Sequence, residues 1–413
     1  MERPKKKKSE KTLPGRKKKL LITGSTFPRW ENDTEPRFIL DLAKELNNYY
    51  DVTVLTPAAV GAVGDEILEG VHVHRFHYFP IHSLETLCSP GAIVSRIKEK
   101  KSRVLLVPFL LVSYWGSLLR YGKKSDFVQA NWFIPQGIMQ SFFNFPYMVT
   151  GHGADVALHN TGVMKKLKLR CVKKASAVTF VSQALKNTLY GLEGFDDPSF
   201  EEKTTVCPLG VDTEEFSPAN RIENYFNQGT TPVVLFVGRL VERKGVQYLI
   251  EAMEGLNAKL VIVGKGTYEE ELRKKAEHFG SQIVFLGPRT HEELKYIYPS
   301  ADVLCVPSVQ EKDGVVEGFG LVTIEAMASG LPVIGSNSGG IKEVIVSGEN
   351  GYLVEERDSK ALHDKLEELT QNPQRRAEMK ENVLQTADHY SFKNIGKIYG
   401  ELIQNAMDSS QSR

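Results

Sequence analysis

Four cysteines and three tryptophans are all that this chain of 413 residues contains of either, and the scarcity excludes several classes. Cys88, Cys171, Cys207 and Cys305 are scattered, with no Cys-x-x-Cys pair. They build neither a zinc site nor a disulfide framework, and they fit small core residues in a reducing compartment. No apolar run reaches the ~18 residues that a spanning helix needs. The nearest, Val104 to Leu119, is interrupted by Pro108 and flanked by Lys98, Lys100, Lys101, Arg103, Arg120, Lys123 and Lys124. It reads either as a kinked, buried core helix or, with Tyr114, Trp115 and its basic flanks, as a segment lying on a membrane. The lysine-rich start runs into polar residues and lacks the apolar stretch of a secretory signal. A P-loop and an Asp-x-Asp pair are missing, and Gly264-Lys265-Gly266 lacks the third glycine of a dinucleotide fingerprint. No obligatory metal is therefore expected, and a dehydrogenase is disfavoured.

Charge of one sign is also missing overall: the net charge is +1, yet residues 1–19 hold ten of the 52 Lys and Arg and only two of the 51 Asp and Glu. A basic tail thus precedes an acidic body. Such a tail suits an anionic surface, and it is equally a plain solvated arm. It lacks interleaved aromatics, so nucleic acid is not expected as a partner.

What is present is an alternation of short β-branched runs with helical periods, the pattern of parallel α/β architecture. Leu20–Thr23, Val52–Leu55, Val71–Phe76, Phe127–Gln129, Tyr147–Thr150, Ala177–Val181 and Thr204–Cys207 read as strands, with Phe38–Leu46, Met164–Lys173 and Gln183–Tyr190 as helices. The polar stretch Asp212–Thr231 breaks the pattern and reads as a linker. The alternation restarts with strands at Val233–Val237, Lys259–Val263, Ile283–Leu286, Val303–Val306 and Pro332–Ile334, and with a helix at Leu321–Ala328 among others. The expected fold is two doubly wound, Rossmann-like α/β domains facing each other across a cleft, with a tail at 1–18, a first domain at 19–215 and a second at 216–392. Near-continuous apolar strands imply sheets covered on both faces, and ligands in this class sit at the carboxyl ends of the strands.

Three motifs fall at such ends. Glu317-Gly-Phe-Gly-Leu-Val-Thr-Ile-Glu325 sets two glutamates about a helix start. Gly318, Phe319, Gly320 and Leu321 would offer unpaired amides to a phosphate, Glu325 an acceptor for ribose hydroxyls, and Glu317 an acceptor for a sugar. A surface glutamate and a helix-capping one explain the same pair, and a glycosidase acid and nucleophile is a further reading that fits this setting poorly. Gly238-Arg239-Leu240, with Arg243, Lys244 and Gly245, follows the first strand of the second domain. Arg239 and Lys244 would hold a diphosphate and stabilise charge as it leaves, unless the stretch is a solvated basic turn. His152, between Gly151 and Gly153, is expected to be exposed on a loop tip, where it would bond a sugar hydroxyl or assist transfer. Asn131 and Trp132 are candidates for the acceptor side, Trp132 being as readily a buried residue.

These residues resemble glycosyltransferase family 4, the retaining enzymes of the GT-B fold. The likeness runs from about Lys19 to about Tyr399 and is most specific from Val237 to Val354. The family's Glu-x7-Glu motif matches Glu317 and Glu325, its Gly-Arg-Leu and Lys-Gly elements match Gly238, Arg239, Lys244 and Gly245, and Gly348–Val354 and the Gly287 loop look familiar. The resemblance implies a UDP- or GDP-sugar donor, retention of anomeric configuration, His152 against the donor sugar, Gly287 near the base, and a final helix at about 393–413 crossing back onto the first domain. After the first strand the chain reads Thr26-Phe-Pro-Arg29-Trp-Glu-Asn-Asp33 where relatives carry a glycine pair, and Gln129-Ala-Asn131-Trp132 where they often read His-x-His-Trp; Arg29 joins the acceptor-side candidates on that ground. The expectation is a transferase acting on a hydroxyl acceptor, a glycan or lipid-linked glycan, cytoplasmic and in peripheral contact with the inner face of an anionic membrane. Its rivals are an epimerase or phosphorylase on the same fold, and a non-catalytic membrane- or nucleic-acid-binding protein.

Overall fold

The structure is a computed structural model that describes residues 16–311 and 314–411. Most of the basic tail, residues 1–15, lies outside the described residues. The last of it is tied to the body: Lys17 Nζ donates to the Asn47 carbonyl at 2.5 Å, and Lys18 lies 3.6 Å from Asp408.

Eight strands form the first sheet: β1 (Lys19–Thr23), β2 (Asp51–Pro57), β3 (Asp65–Leu68), β4 (Val71–Phe76), β5 (Phe127–Asn131), β6 (Tyr147–Gly151), β7 (Ala177–Phe180) and β8 (Thr204–Val206). Their order is β3-β4-β2-β1-β5-β6-β7-β8. All neighbours are parallel except β3, which joins β4 antiparallel at the edge. The second sheet holds β9 (Val233–Val237), β10 (Lys259–Val263), β11 (Ile283–Gly287), β12 (Val303–Val306), β13 (Val333–Ser336) and β14 (Gly351–Val354) in the order β11-β10-β9-β12-β13-β14, all parallel. β5, β6 and β9 are buried at every residue, as strands covered on both faces must be. All four cysteines are free and buried.

Two chain crossings join the halves side by side. Val211 N donates to the Tyr390 carbonyl and Phe392 N to the Val211 carbonyl, both at 2.9 Å. The last helix, Phe392–Gln411, then returns to the first sheet. Its Ile395, Tyr399, Ile403, Ala406 and Met407 belong to one buried cluster with Leu20, Ile22, Leu42 and Leu46, and Tyr50 OH donates to its Gly400 carbonyl at 2.7 Å. The linker is not a free tether. Phe216 is buried, with its ring edge-on to His291 and Tyr298 of the second half.

The Val104–Leu119 stretch corrects one of its two readings. A 3-10 turn, Lys101–Leu106, leads into the helix Val107–Gly122, and Pro108 sits in the first turn, where it breaks no internal hydrogen bond and causes no kink. The combined Lys101–Gly122 segment is long and apolar enough to cross a membrane by length and composition, and only 17% of its most apolar window is buried. It is therefore not a fully buried helix: one stripe, Leu110, Tyr114 and Leu118, joins the core and the rest faces outward.

Candidate active site

The site is built where loops leaving β9 and β12 meet loops leaving β5 and β6. β9 ends at Val237, and the chain turns through Gly238, Arg239 and the 3-10 turn Glu242–Lys244 into the helix Val246–Ala252. Gly245 takes φ +70°, and a Cβ there would lie 1.7 Å from the Pro307 carbonyl oxygen. Only glycine lets this turn press against the end of β12. The turn delivers Lys244 Nζ to Glu317 Oε2 at 2.5 Å, and Ser308 Oγ donates to the same oxygen at 3.3 Å. Burial alone would raise the Glu317 pKa; Lys244, with Arg243 and Arg239 behind it, outweighs burial and holds it at about 2. Burial, opposed by Glu317, leaves Lys244 below its ordinary value. The two are an ion pair at neutral pH. Lys244, expected to face a diphosphate, is thus already paired, and the side chains of Arg239 and Arg243 make no hydrogen bond or ion pair among the described residues. Solvent reaches Arg239, yet surrounding protein and the neighbouring Arg243 depress its pKa against the pull of Glu317, Glu311 and Glu35.

Beside them begins the helix Leu321–Ala328, with Gly320 at its N-cap. The amides of Gly318, Phe319, Gly320 and Leu321 donate to nothing among the described residues, so a partial positive charge points into the cleft. The Phe319 side chain does not join them; it is buried, edge-on to Tyr390. Glu325, one turn along, is buried and accepts a 2.6 Å hydrogen bond from Tyr298 OH on Oε2, leaving Oε1 uncommitted. Burial raises its pKa against the pull of His291 and the Tyr298 bond. His291 in turn lies 3.2 Å from Glu215, and it interacts electrostatically with Glu325 and with Asp41 of the opposite half. Gly287 closes β11, its carbonyl accepting from Gly264 N at 2.9 Å, with open space where a side chain would stand.

The opposite wall is His152, at the end of β6. The expectation of an exposed loop-tip histidine is corrected. Its ring is enclosed by Phe38 and Trp132, with centroids at 5.1 and 5.2 Å, and its Nδ1 is buried without a partner among the described residues. Nε2 lies 3.0 Å from Asn131 Oδ1. Asn131 Nδ2 donates to the Thr23 carbonyl, which fixes the amide so that Oδ1 faces the ring. Nε2 therefore carries the hydrogen and Nδ1 the bare lone pair. Burial depresses the His152 pKa to about 3, so the neutral ring offers Nδ1 as a hydrogen-bond acceptor. Asn131 is buried behind His152 and positions it. Trp132 packs on it and forms no open platform. Arg29 is also committed: Asp33 takes its Nη2 at 2.5 Å and its Nε at 2.7 Å, and Trp30 lies beneath it.

Asp155 organises the loop by accepting the amides of His152, Gly153 and Phe133. The next stretch is held by the fully buried Lys168, whose Nζ donates to the Val156 and Leu158 carbonyls and to Asn160 Oδ1. Lys168→Met would leave these acceptors buried and unpaired, and should lower unfolding stability by about 2 kcal/mol in a urea titration; an unchanged midpoint would show that the loop is held otherwise.

The two walls touch. A Cβ at Gly318 would stand 2.2 Å from the His152 carbonyl oxygen. Farther along, the Glu343 carboxylate accepts the Gln183 and Ala184 amides, each at 2.8 Å, at the start of the helix Gln183–Tyr190. The glycine at 318 is thus required by domain approach, a reason that phosphate access alone did not supply. Outside the cleft, His77, His82 and Glu85 bring metal-ligating atoms within 4.8 Å. The two imidazoles stack in parallel at 3.6 Å and Glu85 already accepts the Tyr78 and Phe79 amides, so their lone pairs do not converge on one point.

The chain's relations agree with this layout. The family model for glycosyltransferase family 4 matches residues 36–215, and that for group 1 glycosyl transferases matches residues 219–386. A GDP-mannose-dependent alpha-(1-6)-phosphatidylinositol monomannoside mannosyltransferase of Mycolicibacterium smegmatis is 32% identical over 63% of this chain and 70% of its own length. The chain belongs to glycosyltransferase family 4. An uncharacterised glycosyltransferase of Methanocaldococcus jannaschii is 26% identical over 79% of this chain and 90% of its own length. Among solved structures, an Anabaena protein in complex with UDP and glucose superposes with a TM-score of 0.71, at 20% identity, over 94% of this chain and 99% of its own, which bears on the GT-B fold alone. This family 4 chain therefore places its two matched segments on the two sheets described above. Arg243, Tyr298, His291, Glu215 and Asp155 join the candidate site without a role assigned from sequence; Arg243 and Asp155 stand inside the motifs around Lys244 and His152, and the other three stand outside any motif.

Proposed function

We propose that this family 4 glycosyltransferase moves a sugar from a UDP- or GDP-sugar to a hydroxyl acceptor, with retention of anomeric configuration. The observation that carries the reading is the pair of guanidiniums with no hydrogen-bond partner among the described residues, Arg239 and Arg243, beside the four free amides at 318–321. Together they form a cradle for a diphosphate, with Arg able to bind it bidentately. Glu325 Oε1 accepts a ribose hydroxyl, and the Gly287 turn leaves room for a base. The sugar then lies toward Glu317 and His152, whose bare Nδ1 accepts one of its hydroxyls. As the bond from the anomeric carbon to the diphosphate breaks, Arg239 and Arg243, with Lys244 next to them, stabilise the charge that collects on the leaving group. Retention rests on the family relation. The mannosyltransferase relative named above uses GDP-mannose and the Anabaena structure holds UDP, so both nucleotides are candidates. That relative's phosphatidylinositol-linked acceptor favours a lipid-linked glycan here. Four buried free thiols fit a reducing compartment, and we place the enzyme in the cytoplasm, peripheral to the membrane.

The test is calorimetric titration with UDP and with GDP. One of them should bind, and Arg239→Ala should weaken it about 10- to 100-fold, the cost of one charged hydrogen-bonding group. Binding of neither nucleotide would overturn the donor assignment.

A further inference from the structure

The segment Lys101–Gly122 carries two apolar stripes. Leu110, Tyr114 and Leu118 point inward and are buried, with Tyr114 stacked on Phe76 at 5.5 Å. On the other side Leu105, Phe109, Val112, Trp115 and Leu119 face outward, Leu105 being 71% and Val112 73% exposed. A helix on the surface of a water-soluble domain puts charge on that side; here no charged residue occurs between Arg103 and Arg120. Phe142, exposed and 5.8 Å from Trp115, widens the apolar face. The ends are cationic. Lys98, Lys100 and Lys101 are exposed at one, and Arg120, Lys123 and Lys124 at the other, while Glu99 is the only acidic residue from 93 to 124.

We infer that this face is a docking surface for an anionic lipid bilayer, entered by the outward stripe and held at both ends by lipid phosphates. The charge distribution selects a bilayer as the occupant: an apolar band with an interfacial tryptophan, bounded by lysines and arginines, matches acyl chains between headgroups. The segment does not span, because its inner stripe is part of the first domain's core. Its location gives the surface a use. The loop that precedes it is fastened near the cleft: Gly91 N donates at 2.8 Å to the buried Glu35, which interacts electrostatically with Lys265 and Arg239 of the second half, and Ile81, Leu84 and Val94 are exposed along it. An acceptor anchored in the same bilayer would present its headgroup hydroxyl at the cleft rim. That choice of acceptor rests on the transferase reading; the surface does not.

Flotation of the full chain with vesicles of phosphatidylcholine and phosphatidylglycerol in equal parts, and of phosphatidylcholine alone, tests this. The protein should float with the anionic vesicles and in part remain bound at about 0.5 M salt, where surface charge is screened. The double variant Leu105→Glu, Val112→Glu should lose binding about tenfold or more, with melting temperature and nucleotide titration unchanged, since both side chains are exposed. Undiminished flotation of the variant would overturn the proposal, as would a solution dimer that the same variant converts to monomer, which would make a second copy the occupant. Vesicle binding without nucleotide binding would sink the transferase reading and leave the surface standing.

Discussion

Gly318→Ala should bind its nucleotide as the unsubstituted chain does, within a few-fold, yet turn over about 100-fold more slowly. The added methyl would stand 2.2 Å from the His152 carbonyl oxygen, a separation no Cβ contact tolerates. The cheapest relief is a small opening of the two halves about their paired crossings, a hinge-like motion that leaves each core intact. The proposed diphosphate cradle, Arg239, Arg243 and the amides at 318–321, lies wholly within the second half and survives. His152 lies in the first half, and its bare Nδ1 would recede from the sugar along with the acceptor. The loss is therefore expected in kcat with the melting temperature little changed. Steady-state kinetics beside calorimetry separates the two quantities, and a normal kcat would show that turnover does not need the closed contact.

Glu325→Gln should weaken nucleotide binding about 100-fold, because a buried carboxylate accepting a ribose hydroxyl contributes a charge-assisted bond of about 2–3 kcal/mol. The amide retains a partner for Tyr298 OH, so the fold is kept. The sign of the pH dependence is fixed by burial, which raises the folded pKa of Glu325 above the ordinary carboxylate value. The folded state then binds more protons than the unfolded one between those two values, and the contribution of Glu325 to stability falls as pH rises through that window. Its ionised form is nonetheless the better acceptor. Nucleotide affinity of the unsubstituted chain should therefore decline as pH falls through the raised value, and that of Glu325→Gln should stay level there. Parallel pH profiles for the two would remove Glu325 from the ribose site.

Much of the fold can be read along the chain because its strands are buried on both faces. Val233–Val237, Lys259–Val263 and Val303–Val306 stand out as apolar runs, and Phe38–Leu46 as a helical stripe, to the residue. β3 escapes such reading because Asp65-Glu-Ile-Leu is a short, charged edge strand with one antiparallel neighbour. The motifs indicate which residues gather at the cleft but not what each one touches. Lys244 and Arg239 look alike in sequence; only the fold pairs Lys244 with Glu317 and leaves Arg239 unpaired. His152 between two glycines suggests exposure, and Phe38, Trp132 and the far half enclose it. The Lys101–Gly122 segment is ambiguous by composition, since both of its stripes are apolar and only the packing tells inside from outside.

The returning helix makes the two halves unequal as pieces of inheritance. The second half is one uninterrupted stretch, roughly 212–390, cut out between two adjacent strands of backbone at Val211 and Ser391. The other half is assembled from both ends of the chain, because Tyr399 and Ile403 complete the core begun by Leu20 and Ile22. A recombination event with breakpoints at those two neighbouring positions exchanges the second half as a cassette and leaves the first half whole. A single breakpoint between the halves instead gives a hybrid whose first domain is closed by another protein's helix. Exchange of the second half alone thus takes a double crossover rather than a simple fusion.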